Sequence, residues 1–187
     1  MGKIVEIGTP RLRLRAWREA DRPAWLAMMD DPEVSRWLGG PFVRAENEAS
    51  FDRFKTALEG RGWDLWACER KGDGAVIGAV GVRPVFPDHP LAGSIEVGWR
   101  LRRPFWGAGY ASEGAAAAIS WAFDHLEVDE VVAFTSQANL RSQGVMERIG
   151  MVRDPRRDFL HPNLAEGNPL RAHVVYAARR GEADQSS

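Results

Sequence analysis

The chain alternates between stretches of period-two polarity, which predict strands, and stretches whose apolar residues recur at helical spacing. Residues 11–17 (RLRLRAW) alternate strictly and predict a strand. Residues 18–34 carry a proline near a helix start followed by helically spaced apolar residues. In 46–60 the same spacing recurs and ends at a glycine. The first third of the chain is therefore predicted to be one strand and two helices.

The rest of the chain continues this pattern. Residues 62–70 and 75–85 read as two strands around the glycine turn KGDG, which predicts an antiparallel hairpin. The further predicted elements are a strand at 93–101, a helix at 109–126, a strand at 129–136, a helix at 139–149, and two strands within 151–180 joined by a polar loop. The order β-α-α-β-β-β-α-β-α-β-β predicts an α+β (mixed α/β) fold. Residues 181–187 (GEADQSS) lack apolar positions and predict a disordered tail.

The strand at 93–101 has two chemically different faces. The residues of one face are apolar: Ile95, Val97, Trp99 and Leu101. The residues of the other are polar or small: Ser94, Glu96, Gly98 and Arg100. We expect the apolar face to be core and the other to be solvent-exposed, either as a cleft floor or as an ordinary open sheet face. Gly98 in mid-strand predicts a bulge or a close backbone approach.

Composition narrows the function classes. The 187 residues carry 25 Lys+Arg and 26 Asp+Glu, a formal charge of -1, so no net field draws the protein to nucleic acid or an anionic membrane. The single cysteine, Cys68, cannot form an internal disulfide and is expected to be a packed thiol. With no apolar leader or long apolar run, we expect a cytoplasmic protein.

Two glycines lie between the strand at 93–101 and the helix that follows. Gly107 and Gly109 permit backbone conformations in which amides converge, and the first amides of a helix are unpaired, so this turn could hold a pyrophosphate. An ordinary turn would have the same sequence. A Rossmann unit fits poorly because the acidic pair Asp129–Glu130 precedes the next strand rather than ending it. No P-loop motif and no cluster with metal-ligand spacing occurs, and the four histidines are expected to be structural or on the surface.

The helix at 139–149 contains an unusual hydroxyl. Asn139 is a good N-cap and Gly150 a good helix stop. Ser142 lies at offsets of three, four and seven from Val145, Met146 and Ile149, so its hydroxyl is on the apolar, inward face. It is either a functional hydroxyl or one bonded to its own helix backbone.

These two blocks, SIEVGWRLRRPFWGAGYASEGAAAAISWAF and TSQANLRSQGVMERIGM, together resemble the GNAT superfamily of N-acetyltransferases, specifically its RimJ/RimL-type branch. The resemblance covers residues 9–180 as a single domain. The superfamily's phosphate motif falls on residues 106–111, with Trp106 in place of the usual Gln or Arg. It implies the GNAT fold: a central, mostly antiparallel mixed sheet of about seven strands, splayed at a cofactor cleft and flanked by about four helices.

The resemblance further implies acetyl-CoA as cosubstrate, with no metal. It implies Glu96 as the base, acting through water, and Ser142 as the proton donor to the departing thiolate. The cofactor-binding residues that it implies are Trp99, Leu101, Arg102, Arg103, Trp106, Gly107, Ala108, Gly109, Tyr110, Ala111, Ser112, Asn139 and Ser142. Arg141 is a further candidate for the phosphates.

The acceptor would be a primary amine, and an α-amine is easier to deprotonate than a lysine amine. A protein or peptide N-terminus, a small-molecule amine including an antibiotic, and a non-catalytic acyl-CoA sensor all remain open. Loops 36–43, 85–90 and 159–170 are expected to line the acceptor site. The charged residues placed there by the sequence form a mixed set: Asp88, Glu166, Arg36 and Arg44. No nucleic-acid or membrane partner is expected, and a homodimer is compatible with the sequence.

Overall fold

The computed structural model describes residues 4–181. Within them one sheet of nine strands has the order β1-β2-β3-β4-β5-β6-β9-β7, with β8 also paired to β9. The strands are β1 Ile7–Gly8, β2 Leu12–Arg15, β3 Leu65–Arg70, β4 Val76–Pro84, β5 Ile95–Leu101, β6 Glu130–Ser136, β7 Val152–Arg153, β8 Phe159–Leu160 and β9 Ala172–Arg179. The α-helices are α1 Arg22–Met29, α2 Pro32–Ser35, α3 Arg44–Arg61, α4 Tyr110–His125 and α5 Leu140–Arg148.

The predicted order of elements and the α+β class are confirmed. The sheet exceeds about seven strands because the two-residue strands β1 and β8 join its edges. The first predicted helix is divided into α1 and α2, because the Asp31 side chain accepts from the Glu33 amide and starts a new helix. The tail predicted for 181–187 lies, apart from Gly181, outside the described residues.

The sheet opens between β5 and β6. All other strand pairs in the described sheet are antiparallel, whereas β5 and β6 are parallel and share only the pairs Ile95–Val131 and Glu96–Val132. β4 stays paired with β5 as far as Leu101, and β9 stays paired with β6 as far as Ser136. The two halves of the sheet therefore diverge beyond Glu96 and leave a free edge on each strand. This is the splay that the family resemblance implies.

Helices cover both faces of the sheet near this opening. Gly114 of α4 lies so close to Val80 that an added Cβ would be 3.1 Å from its Cγ1, which places α4 on the face of Val80 and its partner Trp99. The opposite face carries Arg83 paired with Glu96 and, further along, Arg100. The α3 residue Phe54 packs against that face, with its ring centroid 4.9 Å from the Arg100 guanidinium carbon.

The prediction that the Glu96 face is solvent-exposed is therefore wrong. Glu96 is only 6% exposed, because α3 covers the sheet and Arg83 neutralises the carboxylate. Neither alternative predicted for Gly98 is seen: it pairs with Gly81 in a continuous register, so there is no bulge, and an added Cβ would meet only Leu65 Cδ2 at 3.5 Å, an ordinary contact. The register shift of this half of the sheet lies between Cys68 and Glu69 instead.

Two hydrophobic clusters hold these layers. The larger lies between the sheet and its helices and includes the edge-to-face pair Trp17 and Trp25, with ring centroids 5.4 Å apart. The smaller lies beyond the opening and centres on Val132 and Val175, with Phe134 packed against it. Among residues 4–181, no helix has both the length and the apolarity needed to cross a lipid bilayer.

Candidate cofactor and acceptor cleft

A cavity of about 890 Å³ follows the opening between β5 and β6. It is lined by residues of both β5 faces, so it passes from the α4 side, around the free edge of β5, to the Glu96 side. Most of the predicted site residues lie along it: Glu96, Trp99, Leu101, Trp106, Gly107, Gly109, Tyr110, Ala111, Ser112, Asn139 and Ser142. Residues far apart in the chain thus form one continuous cleft.

The loop between β5 and α4 is built to present backbone amides. Gly107 and Gly109 have φ of 76° and 80°, a region that L side chains rarely adopt. Within the described part of the chain, the amides of residues 107–112 have no hydrogen-bond acceptor, and the 16-residue helix α4 adds its dipole to them. These donors suit a pyrophosphate, which needs several N–H groups and no metal.

Side chains from other elements fix this loop. The Trp106 indole donates to the Leu101 carbonyl at 2.7 Å, which ties the loop back to the end of β5. Arg11 pairs with Glu113 at 2.6 Å and donates to the Ala108 carbonyl at 2.9 Å. The loop is therefore held in shape before any ligand arrives.

Three of the predicted cofactor-binding residues lie outside the cavity lining. Arg103 is paired with Asp31 at 3.0 Å, and Arg102 lies over the Phe105 ring with its guanidinium carbon 5.6 Å from the centroid. Ala108 belongs to the loop, but its carbonyl is taken by Arg11. The family resemblance implied all three, whereas the 3₁₀ turn after β5 directs the two arginines elsewhere.

Helix α5 closes the cleft from the other side. The Asn139 side chain accepts from the Ser142 amide at 3.3 Å and donates to the Thr135 hydroxyl at 3.1 Å, so the predicted N-cap is present and anchored to β6. The Ser142 hydroxyl makes no hydrogen bond within residues 4–181, which leaves it available to the cavity. Arg141 lies over the Trp106 ring at 4.3 Å, joining α5 to the glycine loop.

A buried ion pair lies where β5 and β6 separate. Arg83 Nε donates to Glu96 Oε1 at 2.5 Å across the β4–β5 pair. The carboxylate is buried and the guanidinium is about one-third exposed, at 32%. The other carboxylate oxygen of Glu96, Oε2, accepts no hydrogen bond from any residue in 4–181. Glu96 therefore lines the cavity with one free carboxylate oxygen, and its role as a base stays a prediction.

Two of the four histidines, for which structural or surface roles are expected, line the cavity. The rings of His161 and His173 lie 4.9 Å apart, and both line the cavity on the Glu96 side. Burial lowers the pKa of each, so both imidazoles are neutral near pH 7. They follow β8 and begin β9, and only the pairing of those two strands brings them together. No local sequence signal could have found them.

The predicted acceptor loops contribute unequally. Loop 36–43 supplies Trp37 and Phe42 to the cavity, and loop 159–170 supplies His161 and Leu164, but loop 85–90 does not line it. The mixed charged lining predicted for these loops is wrong, because none of its four members borders the cavity: Asp88, Glu166, Arg36 and Arg44. The charged residues that do border it are Glu96 and five arginines: Arg53, Arg83, Arg100, Arg141 and Arg148.

The remaining groups with possible chemistry are the Cys68 thiol and any cluster of metal-binding side chains. Cys68 is fully buried, and burial raises the pKa of its thiol to about 12, so it behaves as a packed side chain. Across residues 4–181, no group of three or more His, Cys, Asp or Glu side chains could hold a metal ion.

Comparison with known proteins places this fold and cleft in a family. Residues 11–152 match the acetyltransferase (GNAT) domain model, Acetyltransf_3. The chain therefore belongs to the GNAT family of acetyltransferases, which are acyltransferases that use acetyl-CoA. The family membership expected from the sequence is confirmed.

Individual relatives agree with this assignment. An acetyltransferase structure from Agrobacterium tumefaciens has 30% sequence identity and a TM-score of 0.75, covering 96% of this chain and 97% of its own. The FsC-acetyl coenzyme A-N(2)-transacetylase of Aspergillus fumigatus is 29% identical over 93% of this chain and 76% of the fungal protein. RimL, a ribosomal L7/L12 α-N-protein acetyltransferase solved with coenzyme A, shares the fold at 17% identity and a TM-score of 0.72, covering 96% of this chain and 100% of RimL.

Proposed function

We propose that this protein transfers an acetyl group from acetyl-CoA directly to a primary amine, with a peptide α-amine as the first candidate acceptor. The observation that carries the proposal is the unbroken path from the unpaired amides of residues 107–112, along the free edge of β5, to the carboxylate of Glu96. One end suits a pyrophosphate and the other suits an amine, and the edge between them suits an extended amide-bearing arm.

Acetyl-CoA supplies an activated acyl group on a thiol that leaves readily. Its pyrophosphate would bind the amides of residues 107–112, with the loop shaped by Gly107 and Gly109 and held by Trp106. Its pantetheine arm would add to the β5 edge near Trp99 and Leu101, as a strand adds to a sheet. Arg148, whose guanidinium is 3.4 Å from the Ser112 hydroxyl, lies near the phosphate end as a further positive charge.

The chain's own residues account for each proton. Glu96 would take a proton from the attacking amine through a water molecule, since only the neutral amine is a nucleophile. A backbone amide of β5 would donate to the acyl oxygen as negative charge develops there. As the new C–N bond forms and the C–S bond breaks, the Ser142 hydroxyl would protonate the departing thiolate. Asn139 would position Ser142 by capping α5 beneath it.

The α-amine preference follows from pKa values. An α-amine with a pKa of about 7.7 to 8.0 costs roughly 1 kcal/mol to deprotonate at pH 7, whereas a lysine amine near 10.4 costs roughly 4 to 5 kcal/mol. The shared fold of RimL, named as an α-N-protein acetyltransferase, supports a peptide N-terminus and a RimJ/RimL-type assignment. The second candidate, a small-molecule amine, agrees with the fungal relative to the extent that its name specifies an N(2) position as the site of transacetylation.

The test is release of free thiol from acetyl-CoA in the presence of peptides and small amines. On one peptide with either its N-terminus or its lysine blocked, we expect faster acetylation of the α-amine at pH 7, and a gap that narrows toward pH 9. A consistent preference for the ε-amine at pH 7 would exclude the N-terminal assignment. Binding of acetyl-CoA without turnover on any amine would favour an acyl-CoA sensor.

A further inference from the structure

Within residues 4–181, the charged residues that line the acceptor end of the cleft are three arginines and one carboxylate, Glu96. Arg83 on β4 and Arg100 on β5 lie on the same sheet face as Glu96, and Arg53 reaches that side of the cavity from α3. Glu96 neutralises one of these charges through its ion pair with Arg83. The acceptor end therefore retains an excess of positive charge, although the chain as a whole has a formal charge of -1.

Arg100 packs against two aromatic rings on this face. Its guanidinium carbon lies 4.9 Å from the Phe54 ring centroid and 5.8 Å from that of Trp25, and it forms no ion pair or hydrogen bond with any residue in 4–181. Burial lowers the pKa of its guanidinium to about 9, and repulsion from Arg83 adds to the effect. Arg100 is half-buried, and a half-buried cation that no anion contacts directly is costly; a ligand that brings an anion would relieve that cost.

The location of these arginines argues against a role in binding the cofactor's phosphates. The amides of residues 107–112 and the helix α4 are on the opposite face of the sheet, the face of Val80 and Trp99. The phosphate end has its own arginines on α5, Arg141 and Arg148. The cavity connects the two faces only around the free edge of β5, where the acyl group would lie.

We propose that the acceptor is an amine that also carries a carboxylate, and that Arg100, assisted by Arg53 and the free nitrogens of Arg83, binds that carboxylate. The inference deepens the proposed function and depends on it. Arginine pairs with a carboxylate through two parallel N–H donors, so the interaction would orient the acceptor as well as hold it. Glu96, on the same face, would receive the amine of the same molecule. The carboxylate could belong to an acidic side chain or to a free C-terminus next to the amine.

Two pairs of matched acceptors, tested on the wild-type protein, distinguish an acidic side chain from a free C-terminus as the source of the carboxylate. A seryl-glutamyl amide is compared with the seryl-glutaminyl amide, which differs by one side-chain charge. A seryl-alanine with a free C-terminus is compared with its amide. Each rate is divided by the concentration of neutral amine at the assay pH. A difference in amine pKa between the two members of a pair then does not affect the comparison. We expect kcat/KM to be about 10-fold to 100-fold higher for the anionic member of at least one pair, as a charge-assisted interaction gives. Equal values in both pairs would overturn the inference.

The variant Arg100→Met keeps an unbranched side chain against Phe54 and Trp25 and removes the charge. It should abolish the preference, mainly through KM for the anionic acceptor, and leave stabilisation by acetyl-CoA unchanged. The control Arg44→Met removes an arginine from the same helix as Arg53 but outside the cavity, and should keep the preference. A retained preference in Arg100→Met would remove Arg100 from the assignment.

Different results would exclude the proposed acetyl transfer and the proposed anionic acceptor. If acetyl-CoA neither stabilises the protein nor is consumed with any amine, the proposed acetyl transfer is excluded. If neutral amines are acetylated as well as anionic ones, only the anionic acceptor is excluded. If Arg100→Met does not fold, the two acceptor pairs assayed with wild-type protein still test the anionic acceptor. The preference for the anionic member must also weaken as the salt concentration is raised.

Discussion

The two ends of the cleft bind by different means. The phosphate end relies on six consecutive backbone amides, residues 107–112, at the start of one helix. The acceptor end relies on charged side chains, with Glu96, Arg83 and Arg100 on neighbouring strands and Arg53 on a helix that precedes them. The first is contiguous in the chain, and the second is assembled from β4, β5 and α3.

This difference has consequences for what mutation can do. Backbone amides cannot be deleted by substitution, so the phosphate end can be blocked but not stripped of its donors. At the acceptor end, each side chain can be removed singly. Where two of them form an ion pair, as Arg83 and Glu96 do, removal of one leaves the charge of the other uncompensated. Variants should therefore separate the two ends cleanly, and four of them test whether they do.

The largest effect is expected for Gly109→Glu, which places charge and bulk against the phosphates. Acetyl-CoA should raise the melting temperature of the wild type, NADH should not, and the variant should lose the shift altogether. Because Gly109 has φ of 80°, any side chain there is strained, so Gly109→Ala is the matched control for strain alone. Stabilisation by NADH instead of acetyl-CoA would revive a Rossmann interpretation of the loop.

Glu96→Gln should affect proton removal at the acceptor end without affecting the binding of acetyl-CoA. Loss of a general base lowers the rate by roughly 100-fold or more, whereas stabilisation by acetyl-CoA should persist. The control Glu130→Gln disrupts another glutamate–arginine pair, with Arg157 at 2.6 Å, outside the cavity. A rate close to that of the wild type in Glu96→Gln would assign proton removal to another group, and the neutral His161 and His173 on that side would be the next variants.

Ser142 and Asn139 lie between the two ends, and their variants should differ. Ser142→Ala should lower kcat by roughly 10-fold or more with little change in acetyl-CoA binding. Asn139→Ala should reduce both, because it also removes the α5 cap, worth about 1 kcal/mol. Unchanged turnover in Ser142→Ala would mean that water protonates the thiolate.

The last prediction concerns stability rather than catalysis. His89 is 4% exposed and stacks on Phe134 at 4.5 Å beneath the acceptor end. Burial lowers its pKa to about 4, with smaller contributions from His161 and His173. A histidine with a lowered folded-state pKa stays neutral while the unfolded chain gains a proton, so its contribution is present above pH 6.5 and is lost as the pH falls toward 4.

His89→Asn can still accept from the Leu91 amide as His89 Nδ1 does at 3.1 Å, but has no proton to gain. We expect it to reduce the loss of unfolding free energy between pH 7 and pH 4 by up to about 3 kcal/mol. Urea unfolding at both pH values measures this, with His125→Asn on α4 as the control. An equal loss in His89→Asn and wild type would show that His89 gains its proton over the same pH range in the folded protein as in the unfolded chain, so that its pKa is not lowered.

The sequence alone determined the parts of this protein whose physical cause is local. Strand and helix periodicity, the glycines at 107 and 109, the Asn139 cap and the inward Ser142 are all properties of a few neighbouring residues. The functional roles of these residues remain predictions. The two glycines, Asn139 and Ser142 all line the same cleft, as the family resemblance implies.

Only the tertiary structure decided which side chains meet from a distance. The register of β4 with β5 brings Arg83 to Glu96, and the packing of α3 buries a face that alternation alone predicted to be exposed. Pairing of β8 with β9 brings His161 to His173 at the cavity. The charge of the acceptor end belongs to this second group, because alternation along one strand records its polarity but not the helix or strand that will cover it.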